Sequence, residues 1–272
     1  MPPTCWTANP QKKDASAPAA VRITAPIDGS LMDALFLVLA SFFTSALTAV
    51  IGVGGGMLLI SLMPGAISIA AIVPVHGAVQ LVSNASRVLL GVRHIEWSIF
   101  WPFLGGACIG AWAGAPLVQH LPTQYMPLLL GLFILIFTWL PKHKKSFRLP
   151  GHFTLMGATQ TFIALFVGVS GPLTNAFLLR EALPRDRLVV THGLLMTATH
   201  ALKMLAFIFM GFAFAPYALL IAAMSVSVIL GSYAGTFLRG RVPEKIFRTA
   251  LKTLITILAL RMIFQFILGV YL

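Results

Sequence analysis

The sequence predicts an all-α polytopic membrane protein made of two inverted repeats, each a glycine-broken re-entrant helical hairpin followed by three transmembrane helices. Three observations carry this. Hydrophobic residues make up 58% of the 272 and charged residues only 10%, in apolar runs near the ~20 residues a helix needs to cross a bilayer. The run broken at Gly52-Val53-Gly54-Gly55-Gly56 recurs 116 residues later as Gly168-Val169-Ser170-Gly171-Pro172, and such doubling marks a chain built from repeats. Equivalent loops of the two copies carry opposite charge bias.

Residues 1–30, rich in Ala, Pro and polar types, lack the apolar core of a signal peptide and read as a flexible polar tail. The first repeat spans 31–141, with apolar segments at about 31–63, 67–91, 97–118 and 124–141. A basic linker, 142–151, is the one strong shift in composition. The second repeat spans 152–272, with segments at about 152–182, 187–210, 215–238 and 245–270. From the breaks the register runs without a gap through His76-Gly77 and His192-Gly193 to Asn84/His200 and Arg87/Lys203. Gly110-Ala111-Trp112-Ala113-Gly114 matches Gly231-Ser232-Tyr233-Ala234-Gly235 at an offset of 121.

The net charge of +12 would suggest nucleic acid in a soluble domain, but here the cations cluster in short loops between apolar spans, where they orient the protein. Nucleic acid is therefore not expected as a partner; membrane lipids are. If every segment crossed once, Lys142, Lys144, Lys145 and Arg148 would face one side and Arg180, Arg185 and Arg187 the other. A fifth segment that enters, turns at 168–172 and returns brings both clusters to the cytoplasm. By the repeat, the first segment turns at 52–56. Three crossings follow each turn, an odd number, so the second half is inverted. The loop near Pro122 carries no Lys or Arg, whereas its counterpart near Pro243 has Arg239, Arg241, Lys245 and Arg248; the loop near residue 64 has none, whereas its counterpart has Arg180, Arg185 and Arg187. Both termini then lie outside, against which Lys12, Lys13 and Arg22 weigh, partly offset by Asp14, Asp28 and Asp33. Eight plain crossings in a parallel repeat is the alternative.

Backbone inside a bilayer must be hydrogen-bonded, so helix breaks persist only where protein or a wet cavity surrounds them. Breaks at that depth point to a site. A half-helix starting after each break aims free N–H groups and its positive dipole end at the turn, which favours an anion. Close helix packing is the plainer role for such glycines. The candidate site takes in Gly54, Gly55, Gly56, Ser170, Gly171 and Asn175 at the breaks. On the next helix of each half, His76, Gln80, Asn84 and Arg87, and His192, Thr199, His200 and Lys203, are spaced by three or four residues and share a face. Met196 replaces Gln80, so the halves are not chemically equal. Arg87 and Lys203 could instead snorkel to an interface, and the histidines could be satisfied interior groups.

All seven acids lie in the tail or near loop boundaries, so the pathway holds Arg, Lys and His without a carboxylate. Such a pathway selects against cations and suits a small anion. If protons couple to transport, His76, His192 or His200 would carry them, since imidazole titrates near neutrality in water. Neither Cys5 nor Cys108 belongs to a disulfide framework or a metal motif, and no cofactor is implied.

The GVGGG break, the polar segment with His76-Gly77 and Asn84, the span from Gly110 to Gly114 and the degenerate copy with GVSGP make residues 35–270 resemble the sulfite exporter TauE/SafE family, grouped with toluenesulfonate uptake permeases. The resemblance implies a cell inner-membrane transporter of small sulfur-containing anions such as sulfite, sulfoacetate and other organosulfonates. Together these expectations describe a secondary carrier, not an enzyme, that binds a small oxyanion between the halves and works by alternating access. Arg87 and Lys203 would supply charge, and Gln80, Asn84, Asn175 and His200 orienting hydrogen bonds. An anion channel using the same polar stripe, or an intramembrane enzyme using the histidines, are the alternatives. Oligomeric state is not encoded legibly.

Overall fold

A computed structural model describes residues 30–51, 54–89, 91–120, 123–139, 151–181, 183–238 and 244–268. The tail 1–29, Gly52 and Val53 of the first break, the linker cations Lys142, Lys144, Lys145 and Arg148, and the loop with Arg239 and Arg241 lie outside the described residues.

The eight apolar segments become ten α-helices among the described residues, because the first and fifth are each interrupted at the glycines. The first half comprises α1 (Leu31–Ile51), α2 (Gly55–Leu62), α3 (Ile69–Leu89), α4 (Trp97–Gln119) and α5 (Met126–Trp139). The second comprises α6 (His152–Val167), α7 (Gly171–Leu178), α8 (Arg185–Phe209), α9 (Ala218–Leu238) and α10 (Glu244–Ile267). Gly54 caps α2 at φ 104° and Gly168 ends α6 at φ 74°, left-handed conformations that strain any residue with a Cβ. Pro172 falls in the first turn of α7, where its missing N–H leaves no intrahelical bond unmade.

Over the described residues α1, α3, α4, α8 and α9 are long and apolar enough to cross a bilayer, while α5 and α6 are shorter apolar helices. The protein is a multi-pass membrane protein. At ~1.5 Å per residue the 14 residues of α5 cover ~21 Å of a ~30 Å hydrocarbon core, so the last helix of the first half is not among the five. Large apolar side chains such as Phe43, Trp112, Phe209 and Leu219 stay exposed on the outside, where lipid would cover them.

Pairing of the helices follows one rule in both halves. α1 packs parallel on α9, with Val38 beside Ser227, Phe42 beside Gly231 and Ala46 beside Gly235, and α4 packs parallel on α6, with Gly106 beside Thr154 and Gly110 beside Ala158. Their equivalents across the halves run the other way. α3 lies antiparallel to α8, with Gly77 against Lys203 and Val88 against Gly193; α5 lies antiparallel to α10, with Tyr125 near Phe266 and Trp139 near Thr256. A Cβ on Gly110 would run into the carbonyl of Ala158, and one on Gly231 into that of Phe42. For this matched glycine pair, then, close packing is the structural role. Ser45 Oγ donates to the Val228 carbonyl at 2.8 Å and Ser227 Oγ to that of Val38 at 2.6 Å, tying α1 to α9 through hydrogen bonds that lipid cannot replace.

One end of the molecule gathers several helix termini. Ile99, Phe100 and Phe103 of α4, Met156 of α6 and Leu178 of α7 form one apolar cluster, with Leu183 and Leu188 packed against it. His152 at the start of α6 lies 3.5 Å from Glu181 just past α7, and Arg187 lies 3.0 Å from Glu96. The chain that leaves this end in α6 is thus back at it after α7.

Candidate functional site

Two short half-helices meet the polar face of two long ones, and each side chain is placed by its own turn of helix. Among the described residues the first ladder bond of α2 runs from the Leu58 N–H to the Gly54 carbonyl at 3.0 Å, which puts the N–H groups of Gly55, Gly56 and Met57 in the first turn, ahead of the regular ladder. In α7 Leu173 donates to Ser170 O at 3.0 Å and Pro172 has no N–H, which leaves Gly171.

Each half-helix is held by the histidine that follows it. His76 Nε2 lies 3.0 Å from Gly56 O, and His192 Nε2 lies 3.2 Å from Gly171 O. A carbonyl only accepts, so both rings carry their proton at Nε2. The antiparallel pairing of α3 with α8 also brings His76 beside His200, ring centroids 6.1 Å apart.

Between the breaks lies a cavity of about 50 Å³. Since one water needs ~10–15 Å³ by such a measure, it holds a few waters or one small ion. Ten of the fourteen residues singled out from sequence line it: Gly54, Gly56, His76, Gln80, Asn84 and Arg87 from the first half, Ser170, Gly171, His192 and His200 from the second. The absence of a side chain at Gly56 keeps it open, because a Cβ there would stand 3.2 Å from Gln80 Nε2. Among the described residues Arg87 is the one lining residue with a permanent charge. Its Nε donates to Ser83 O at 3.0 Å and its Nη2 to Asn84 Oδ1 at 2.9 Å, contacts that hold the guanidinium along α3. Ser170 Oγ and His200 Nδ1 are buried with no hydrogen-bond partner.

The other four stand apart from the cavity. Gly55 is pressed against the Thr44 carbonyl and Thr48 Oγ1, and Asn175 sits farther along α7. Thr199 Oγ1 donates to Leu195 O at 2.9 Å and receives Gln160 Nε2 at 3.1 Å. Lys203 is fully buried, its stem crossing Gly77 and its Nζ donating to Gly168 O at 3.0 Å. That carbonyl ends α6, where a cation complements the negative pole of the helix.

Sequence reasoning passed over Thr48, Met57, Val169, Pro172 and Met196 as lining residues. It also missed Gln160, which is fully buried and accepts from Thr174 Oγ1 while donating to Thr199. An amide inside an apolar segment, shortly before the second break, was the available signal. Among the described residues no group of His, Cys, Asp or Glu could hold a metal ion. Ser170 Oγ makes no hydrogen bond to a base. Among the described residues the arrangement offers polar donors, one permanently charged cation and no carboxylate, which is chemistry for holding an anion.

The family model described as Sulfite exporter TauE/SafE matches residues 37–262. That covers most of the chain, and the chain belongs to this family of membrane transporters. No curated protein and no solved structure gives a significant match.

Proposed function

From that membership and the cavity together, we propose that the protein is a secondary transporter that moves a small anion, sulfite or a similar sulfur oxyanion or organosulfonate, across the cytoplasmic membrane by alternating access. The observation that carries this is the cavity at the junction of two helix breaks, lined among the described residues by Arg87 and polar donors without a carboxylate. The first-turn N–H groups of α2 and the Ser170 hydroxyl, which has no partner among the described residues, are fitted to charged oxygens. Arg87 supplies the charge at the anion. Lys203 holds the second break in place.

Inversion of the two halves is part of the proposal. Equivalent helices α3 and α8 run antiparallel, as do α5 and α10, which a repeat related by rotation about the membrane normal would not give. The approach of His152 to Glu181 supports a hairpin that returns to the face it left, and the Arg187–Glu96 pair puts the loop before α8 beside the loop with Arg93. That face we assign to the cytoplasm, with both termini outside. Rocking of one half against the other would expose the cavity to each side in turn.

Efflux of radiolabelled sulfite from proteoliposomes containing the purified protein tests this. We expect saturable, protein-dependent flux at carrier rates; flux equal to that of empty liposomes overturns the transporter assignment, and large single-channel currents overturn alternating access.

A further inference from the structure

Two cations were equivalent in the repeat, and only one of them faces the cavity. Arg87 lines it, whereas the Lys203 ammonium is turned onto the Gly168 carbonyl with its stem against Gly77. His76 and His192 each commit a ring N–H to a backbone carbonyl, a geometry that a neutral imidazole satisfies. Among the described residues no carboxylate lines the space. The half-helix ends add partial positive charge, but each is closed by its own negative end within the same short helix. Among the described residues the lining thus carries one permanent formal charge, the positive one of Arg87. The second half contributes no permanent charge to the described lining; its Ser170 Oγ and His200 Nδ1 are buried without a hydrogen-bond partner, as is His76 Nδ1 of the first half.

Resting on the transporter assignment above, we propose that the site accepts singly charged oxyanions and discriminates against doubly charged ones of the same size. A monoanion placed against Arg87 matches the one permanent charge that the described lining residues carry. A dianion leaves one negative charge uncompensated where desolvation is costly. The selectivity is carried by the redirection of Lys203: the same cavity with Lys203 turned inward would hold two cations. Hydrogen sulfite and alkyl monosulfonates fit this charge, whereas sulfate and thiosulfate do not.

Calorimetric titration of the full-length protein in detergent, at fixed pH and ionic strength, compares nitrate, chlorate and methanesulfonate with sulfate and thiosulfate. The expected result is binding of the monoanions about tenfold or more tighter than of the dianions. Lys203→Gln should leave that ratio unchanged, and Arg87→Gln should abolish binding of both classes. Dianions bound as tightly as monoanions by the native protein would overturn this inference while leaving the transporter assignment standing. Binding of neither class would overturn both. A ratio that changes in Lys203→Gln protein with native melting behaviour would show that Lys203 reaches the ligand, and would overturn the single-charge basis.

Discussion

Replacing Gly56 with alanine separates binding from folding. Gly56 lies in the first turn of α2 and is not among the glycines with positive φ, so alanine adopts the same backbone and gains ~0.5–1 kcal/mol of helix propensity. The added methyl would stand 3.2 Å from Gln80 Nε2 and 3.4 Å from its Cδ, close enough that the amide must yield by a few tenths of an ångström. It also occupies part of a cavity of only about 50 Å³, between the proposed anion position and the first-turn N–H groups. Losing one charge-assisted hydrogen bond costs ~1.5–3 kcal/mol, on the order of 10- to 150-fold in dissociation constant. Sulfite titration by calorimetry and thermal melting on the same preparation read the two effects separately. We expect weakened binding in a protein that melts no earlier than wild type. Unchanged affinity at unchanged stability would refute the placement of the anion on α2. Gly55→Ala is the contrast: its Cβ would meet the Thr44 carbonyl, backbone that cannot swing aside, and overpacking of this kind costs ~1–3 kcal/mol, so this variant should melt earlier.

Removing the His192 ring should lower the melting temperature, since the Gly171 carbonyl loses its side-chain donor at a cost of ~1–3 kcal/mol; His120→Ala, at an exposed ring bonded to its own helix, should not, and equal shifts would count against the staple. Leucine at Gly110 or Gly231 should abolish folded protein in size-exclusion profiles, because each side chain would push into the backbone of α6 or α1; monodisperse, native-melting protein would contradict the packing. Cysteines introduced at Arg93 and Arg187 should both react with an impermeant maleimide from the cytoplasmic side, and a cysteine at Ser30 from the outside; labelling of 93 and 187 from opposite sides would end the inverted topology. Benzenesulfonate should compete poorly with sulfite for transport, its ring exceeding the free space of the cavity, and competition as strong as that of methanesulfonate would show that the site opens further.

How much could be read from the chain in advance depended on whether a residue acts within its own helix or across to another. The helical segments and the two breaks are written locally: apolar runs, then Gly54 and Gly168, whose positive φ values no other residue holds without strain. The face of α3 is local as well, because His76, Gln80, Asn84 and Arg87 fall one turn apart and therefore line one cavity. Arg87 is legible for the same reason, its fork reaching Ser83 O and Asn84 Oδ1 one turn back. Lys203 had the matching position and the same sign of charge, yet nothing within α8 sets its direction. What sets it is Gly77, which leaves room for the stem on the antiparallel neighbour, and the Gly168 carbonyl beyond it. Gly193, the equivalent of Gly77, meets Val88 and the Asn84 carbonyl instead, so the two-fold pattern of glycines is preserved while the side chains facing them are not. A duplicated sequence thus keeps its backbone pairing and divides its chemistry, one cation going to the ligand space and the other to a helix end. The proposed preference for a singly charged cargo rests on that division, which is a property of the interface between the halves and not of either half's own pattern.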